Sequence, residues 1–529
     1  MTGVTVSGSL EKRSILECNT GGTAILDYNG DGLPDVFVVS GQAFEGRIDE
    51  PGEFRPMLYK NAGGMRFESV GKLAGVDQPT WGMGATAVDY DGDGWTDLYL
   101  TNYGPNMLYR NDGQVGFDDV GHQAGVDLDS WSTGAAFGDY DNDGDLDVYV
   151  ANYLELDGDA EAGRRCSWRG VSVFCGPPGL SGARDLYLRN EGPAGAWSYT
   201  DATAEVGLTS PPYYGFAALA SDLDDDGDLD IYVANDTNQN LYFRNDGGRF
   251  EEIALLNGTA LSEDGREQAG MGLAVGDYDG DGDFDLFVTN FSHDNNTLYV
   301  NDGQGFFVDR SFSSNLGGAS TMSLGWGTGF FDHDNDGDDD LFVANGHVYP
   351  AVDEHGLATR YEQMNQLFDN DGAGRFADVS SVSGPGMKIR KSSRGSATAD
   401  LDNDGDLDIV VVNIDDSPTL LRNDGGNVNN WLTVALVGKA WNRQAIGARV
   451  TLTTDGHRQS REARAGTGYL SQDDSRMHFG LGQATVADRI VIRWPDGQSD
   501  VMDDVAGNRL VWLTEGQAGG AASSMPAGE

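Results

Sequence analysis

DYDGDGDFD, residues 277–285, is the stretch whose reading decides the fold. The same pattern, D-x-D-x-D-G-x-x-D, recurs as DYNGDGLPD from Asp27, DYDGDGWTD from Asp89, DYDNDGDLD from Asp139, DLDDDGDLD from Asp222, DHDNDGDDD from Asp332 and DLDNDGDLD from Asp400. The unit is about fifty residues long, with insertions in the first, third and sixth copies, and a period of that size signals a solenoid, propeller or array. Working outward, a Gly/Ala-rich apolar segment precedes most loops (GMGATAV, GAAFG, GMGLAVG, GWGTGFF), and an alternating β-branched or aromatic run follows each (VFVVS, LYLTN, VYVAN, IYVAN, LFVTN, LFVAN, IVVVN). Both read as strands by period and composition. LYKNAGG, LYRNDGQ, LYLRNEG, LYFRNDG, LYVNDGQ, LFDNDGA and LLRNDGG add a third strand ending in a hairpin turn, and FESVG, FDDVG, YTDAT and FADVS a fourth. Four antiparallel strands repeated seven times predict an all-β, seven-bladed β-propeller.

The spacing inside the nonapeptide has a chemical reason. Carboxylates at positions 1, 3, 5 and 9 converge on one point if the backbone turns sharply, and Gly at position 6 permits that turn because it accepts positive φ. The ligand positions are Asp27, Asn29, Asp31 and Asp35; Asp89, Asp91, Asp93 and Asp97; Asp139, Asp141, Asp143 and Asp147; Asp222, Asp224, Asp226 and Asp230; Asp277, Asp279, Asp281 and Asp285; Asp332, Asp334, Asp336 and Asp340; and Asp400, Asp402, Asp404 and Asp408. Hard oxygens in that number suit Ca2+, with a carbonyl at position 7 and water completing about six to eight ligands. An EF-hand would need a bidentate Glu at position 12, where this chain has Val38, Leu100 or an equivalent strand residue. A single copy would pass equally for an acidic surface turn; seven on matching strands predict up to seven calcium sites. The first loop is expected to be the weakest, because Asn29 is neutral and Pro34 stiffens its exit, and lower occupancy in any other loop would contradict this.

Asp and Glu number 85 against 34 Lys and Arg, a formal net charge of −51. Such a chain repels phosphate backbones and anionic head groups, so neither nucleic-acid binding nor membrane insertion is expected. No apolar run approaches the roughly 18 residues of a spanning helix, and the first 26 residues contain no secretory h-region. The expected address is cytoplasmic as written, or exported if the start is truncated. Of three cysteines only Cys166 and Cys175 are close in sequence, and one disulfide could close their loop.

The repeats resemble the FG-GAP/VCBS propeller family, and this resemblance covers residues 1 to 428. NWLTVALVG from Asn430, NRQAIGARV from Asn442, GTGYLSQ from Gly466, HFGLG from His478 and VIRWPDG from Val491 are similar to the ASPIC/UnbV domain that follows such propellers. The resemblance implies calcium in the loops and a similar cysteine pair, and hardly constrains activity. It gives a propeller over 1–428 and an ASPIC/UnbV domain over 429–514; the end, 515–529, reads as a disordered tail by composition. On its own residues the second segment is a small β domain, with alternating WLTVALV, ARVTLTT and RIVIRW strands. GTGYLSQ, residues 466–472, reads as a ligand loop or as a turn with Tyr469 as core anchor, the latter favoured.

Topology assigns the remaining function. If each acidic loop joins first and second strands, the links from second to third strand lie on the opposite face, with the links between blades. The insertions Gln42 to Met57, Tyr153 to Arg184 and Gly346 to Gln366 all fall there, and inserted loops on a rigid scaffold are where binding usually resides. The same face should present Trp81, Trp131, Tyr213, Tyr214, Arg266, Trp326 and the basic stretch Lys388, Arg390, Lys391, Arg394, with His347, Tyr349, Asp353, His355 and Tyr361 on the sixth insertion. One reading makes His347 an acid/base or metal-binding residue, Lys391 and Arg394 holders of an anionic or carbonyl group, and Trp81, Trp131, Tyr214 and Trp326 the pocket walls. The other makes the aromatics packing and the cations partners of nearby carboxylates. No nucleophile elbow, Walker loop, zinc spacing or dinucleotide fingerprint is present. The expected function is a calcium-stabilised binding or scaffold protein taking a small molecule or protein partner on the insertion face. The alternative is an intracellular calcium-dependent enzyme of specialised metabolism, a cyclase or isomerase on a polyketide- or terpenoid-like substrate.

Overall fold

A computed structural model describes residues 1–44, 54–114, 116–156 and 164–517. Parts of the first and third insertions, 45–53 and 157–163, and the tail from 518 lie outside the described residues. Each acidic loop joins the first and second strands of an antiparallel unit. In blade 1, Thr23–Leu26 pairs Asp35–Val38, which pairs Met57–Asn61, which pairs Phe67–Ser69. Blades 2 to 6 repeat the order. The inner strands Thr23–Leu26, Gly82–Val88, Asp129–Gly138, Gly215–Ser221, Gln268–Gly276, Gly325–Phe331 and Ser393–Ala399 lie each against the next, and the last lies against the first. The result is a closed all-β ring of seven blades.

The Gly/Ala-rich character of the inner strands follows from crowding at the axis. A Cβ on Gly272 would sit 2.0 Å from the carbonyl oxygen of Trp326 in the neighbouring blade, and one on Gly134 would sit 2.7 Å from the amide nitrogen of Ala218. Blade 7 departs from expectation with three strands, Ser393–Ala399, Asp408–Asn413 and Thr419–Leu421. A 3-10 turn at Gly426–Val428 instead carries the chain directly into Asn430–Val437, the first strand of the C-terminal segment. Among the described residues no blade mixes strands from both chain ends, so the seam between blades 7 and 1 closes by contacts alone. There Gly395 N–H donates to Gly21 O at 3.0 Å, and Lys12 pairs with Asp415 at 2.6 Å.

The C-terminal segment is a two-sheet β sandwich. One sheet orders Met477–Gly482, Asn430–Val437 and Arg509–Thr514; the other orders His457–Glu462, Arg449–Thr454, Val486–Arg493 and Ser499–Ala506. Leu432, Val434, Phe479 and Val511 from the first meet Val450, Leu452, Ile490 and Ile492 from the second.

This sandwich sits on the acidic-loop face and sends the loop after His457–Glu462 into the axis of the ring. Backbone bonds join Ala465 O to Phe137 N, Gly468 O to Leu273 N, Leu470 O to Ala85 N and Gln472 O to Ile25 N, so four inner strands are satisfied by one inserted segment. Tyr469 at its tip is fully buried, 4.9 Å from the Trp326 ring centroid, and donates to Asn19 O at 2.9 Å. GTGYLSQ is therefore a turn with a core anchor. Gly22 is required opposite it, because a Cβ there would lie 2.0 Å from Leu470 O.

Candidate metal loops and the opposite face

Each loop is held by its own carboxylates. The position 1 aspartate accepts the amides of positions 5 and 6, as Asp139 does from Asp143 and Gly144 at 3.0 Å each, except in the fifth loop, where Asp277 accepts from Gly282 at 3.0 Å; position 5 accepts the amide of position 7, as Asp281 does from Asp283 at 2.9 Å. These bonds bring the side chains together. Asp277, Asp279 and Asp281 each offer an oxygen within 4.8 Å of the others, as do Asp139, Asp141 and Asp143, Asp222, Asp224 and Asp226, and Asp89, Asp91 and Asp97. The buried Oδ2 atoms of Asp277 and Asp285, and Oδ1 of Asp141 and Asp224, have no hydrogen-bond partner. Orphaned carboxylate oxygens at the focus of further carboxylates fit a hard divalent cation.

The electrostatics point the same way. Burial, reinforced by neighbouring carboxylates, pushes Asp35 up to about 8 and Asp89, Asp139 and Asp222 up to about 7, while Asp97, Asp147, Asp230 and Asp285 rise well above the ordinary range. Without a cation these groups favour the proton. In the first loop Asn29 Nδ2 lies 3.3 Å from Asp35 Oδ2 and Lys60 lies 3.1 Å from Asp31. In the sixth, His333 Nδ1 lies 2.5 Å from Asp340 Oδ2.

Two sets of residues at the loops went unread in the sequence. The first is the asparagine that ends the third strand in blades 1 to 6 and follows it by two residues in blade 7: Asn61, Asn111, Asn190, Asn245, Asn301, Asn370 and Asn423. Its amide donates to the position 9 aspartate of its own blade at 2.7–2.8 Å in all seven. The signal was present in the repeated LYxN, but looked like turn chemistry alone. The second is a group of arginines from the sandwich. Arg449 pairs with Asp225 at 2.9 Å, Arg461 with Asp339 at 2.5 Å, and Arg493 with Asp222 and Asp225. Between sandwich and ring lies a cavity of ≈ 140 Å³ lined by Arg461, Arg464, Asp473, Arg476, His478 and Asp339. Its arginines are matched, Arg464 to Glu462 at 2.9 Å and Arg476 to Asp474 at 2.6 Å.

The opposite face holds the long connections, as the topology requires, but its centre is a packed core rather than a pocket. Ile15, Leu16 and Cys18, the hairpin Arg165–Phe174 and the turn Pro350–Glu354 fill it, against Trp131, Tyr153, Phe216, Trp326 and Tyr469. Trp131 and Trp326 are each 1% exposed. Trp326 Nε1 donates to Gly346 O at 2.7 Å, and Trp131 stacks edge-on against Tyr153 at 4.9 Å. Trp81 and Tyr214 are half-buried; Trp81 meets Phe44 at 5.2 Å, and the Tyr214 hydroxyl donates to Leu180 O at 3.0 Å.

The polar residues proposed for that pocket are likewise engaged. His347 is fully buried beneath Trp168 (ring centroids 4.9 Å); its Nδ1 accepts from Tyr349 N–H at 3.1 Å and its Nε2 lies 3.3 Å from Ser292 Oγ. Burial, with the charges of Arg394 and His293, holds its imidazole down to about 3, so it is neutral. Arg394 is fully buried, donates to Cys18 O at 2.6 Å and Ser393 O at 2.7 Å, and lies 4.1 Å over the Trp326 ring. Lys391 pairs with Asp416 at 3.1 Å; Arg266 is exposed and pairs with Asp264 at 2.6 Å. Lys388 and Arg390 are exposed, and Tyr213 is half-buried. Asp353 accepts from Tyr361 N–H at 3.0 Å, and His355 Nδ1 lies 2.9 Å from Ala351 O. The basic stretch is thus divided between core and surface.

Arg394→Ala is therefore expected to destabilise the fold, by about 3 kcal/mol or more, because it strands buried carbonyls that accept from a charged donor. Denaturant unfolding reads this; an unchanged midpoint would return Arg394 to the list of ligand-binding candidates. Cys166 and Cys175 are bridged across the hairpin Arg165–Phe174, and Cys18 is a buried free thiol pushed up to about 12 by burial. No helix among the described residues is long and apolar enough to cross a membrane.

A family model described as FG-GAP-like repeat matches residues 27–100, 89–150, 222–288, 277–343 and 332–411, and one described as ASPIC and UnbV matches 438–520. Cartilage acidic protein 1 of Mus musculus is 28% identical over 276 residues, 51% of this chain and 40% of its own length. Cartilage acidic protein 1 of Xenopus tropicalis is 28% identical over 311 residues, 56% of this chain and 44% of its own. The chain thus spans less than half the length of these relatives. Among solved structures, an Agrocybe aegerita lectin with specific recognition of non-reducing terminal N-acetylglucosamine aligns at TM-score 0.39 and 16% identity, over 76% of this chain and 94% of that one. A Trypanosoma rangeli sialidase in complex with DANA aligns at TM-score 0.34 and 13% identity, over 78% and 57%.

Proposed function

Because the chain belongs to the FG-GAP-like repeat proteins and carries an ASPIC/UnbV segment, we propose that it is a calcium-stabilised β-propeller that serves as a binding or scaffold protein. Asp277 and Asp285, with buried oxygens that no protein donor reaches, are the observation that carries the calcium reading. In this reading each nonapeptide supplies carboxylates at positions 1, 3, 5 and 9, and bound Ca2+ supplies the charge that lets them share one site at neutral pH. The family match supports it further. Metal analysis and calorimetric titration of the full chain test it: up to seven Ca2+ per chain are expected, and a chain that binds none would end the proposal.

The partner, a small molecule or a protein, is assigned to the insertion face. The opposite face is covered by the sandwich, whose arginines already neutralise several loop aspartates, whereas the insertion face has the long connections and the exposed Lys388 and Arg390. The bridge between Cys166 and Cys175 supports an exported protein, since a reducing cytosol would open it. The enzyme reading draws no support from geometry, because His347, Arg394, Trp131 and Trp326 are buried in the packed centre of that face and Lys391 is paired with Asp416.

A further inference from the structure

The seven third-strand asparagines do more than close their own blades. The side-chain amide of Asn61 donates across the seam to Leu401 O at 2.6 Å, that of Asn111 to Tyr28 O at 2.8 Å, and that of Asn245 to Tyr140 O at 2.8 Å. Asn301 reaches Leu223 O at 2.7 Å, Asn370 reaches Tyr278 O at 2.7 Å and Asn423 reaches His333 O at 2.6 Å; the contact from Asn190 to Tyr90 O is longer, at 3.5 Å. Every acceptor is position 2 of the preceding blade's acidic loop, the carbonyl between ligand positions 1 and 3. The backbone amide of the same asparagine holds the position 9 aspartate of its own loop. Each asparagine therefore touches two loops at once, and the chain of contacts runs around the whole ring.

We infer that these asparagines are positioning residues that couple cation binding in each loop to binding in its neighbours. The inference rests on the calcium reading above. A cation that draws Asp35 into the first loop orders Asn61 through the Asp35–amide bond at 2.7 Å, and Asn61 in turn fixes the Leu401 peptide between Asp400 and Asp402 of the seventh loop. By linkage the effect is reciprocal. The physical path is contiguous, one hydrogen bond from the backbone amide and one from the side-chain amide of a single fully buried residue, at the one junction of the ring where no continuous chain joins the blades.

Terbium titration of the calcium-free full chain tests this, because Trp431 packs on Gly405 of the seventh loop and can sensitise an ion bound there. Trp95→Phe removes the indole that lies against Gly30 of the first loop, and Trp441→Phe removes that of the residue whose backbone lies against Gly92 of the second. In that parent, Asn61→Ala alters no residue of the seventh loop, yet should raise its half-saturating terbium concentration roughly three- to tenfold, the loss of about one hydrogen bond. A folded variant with an unchanged midpoint overturns the coupling.

Should Asn61→Ala fail to fold, Asp31→Asn replaces it, since Asp31 is exposed and lies in the first loop. It should raise the seventh-loop midpoint several-fold, while Asp226→Asn in the fourth loop, across the ring, should not. Equal midpoints for both substitutions and the parent overturn the coupling. Absence of sensitised emission from the parent itself would instead overturn the calcium reading, and the inference with it.

Discussion

Chelation should lower the melting temperature of the full chain by more than ~10 °C at pH 8, with calcium restoring it. A ligand that binds only the folded state contributes about 2.7 kcal/mol per site at a hundredfold excess over Kd, and up to seven sites act together. The dependence on pH has a definite sign. Without the cation, Asp35 titrates at about 8 and Asp89, Asp139, Asp222 and Asp400 at about 7, all above their unfolded value. Between pH 4 and 8 the folded chelated chain thus binds more protons than the unfolded chain, and its stability falls as pH rises. Calcium replaces those protons, so the gap between loaded and chelated melting curves should widen from pH 5 to pH 8. A chelated protein that melts where the loaded one does, at both pH values, would remove calcium from the account of this fold.

Tyr469→Ala should cost about 3–5 kcal/mol of unfolding free energy, the range for deleting a fully buried aromatic side chain. It empties the tip of the inserted loop on the ring axis and leaves Asn19 O without its donor. Tyr469→Phe keeps the ring and loses only the hydroxyl, so about 1 kcal/mol is expected. Equilibrium unfolding in urea separates the two. If alanine costs no more than phenylalanine, the inserted loop is an ornament on a self-sufficient propeller, and the bonds from Ala465, Gly468, Leu470 and Gln472 do not hold the ring together.

The residues read correctly from the sequence are those whose chemistry is local. Nine consecutive residues contain the whole of an acidic loop, so the spacing of Asp277, Asp279, Asp281 and Asp285 shows the carboxylate cluster before any strand is placed. The period of the loops, with the alternation in VYVAN or LFVTN, gives blades and their number for the same reason. The fourth strand of blade 7 was beyond such reasoning, because the chain leaves that blade for the sandwich at Gly426.

His347, Arg394, Trp131 and Trp326 mark the limit. Their types, basic, aromatic and titratable on inserted loops, are equally those of a pocket and of a satisfied core. What decides between them is contact between segments far apart in sequence: Trp168 covering His347, Cys18 accepting from Arg394, and Tyr469 arriving from the C-terminal segment to close the axis. The asparagines of LYxN show the same division, since their turn is local while their bond to the previous blade exists only once the ring has closed. Sequence alone determined the repeat, the clustering of its carboxylates and the face on which insertions emerge, because those follow from spacing along the chain. Only the tertiary structure decided which of the inserted residues are buried and how one loop is tied to the next, because burial and hydrogen bonding across the ring depend on which distant segments meet.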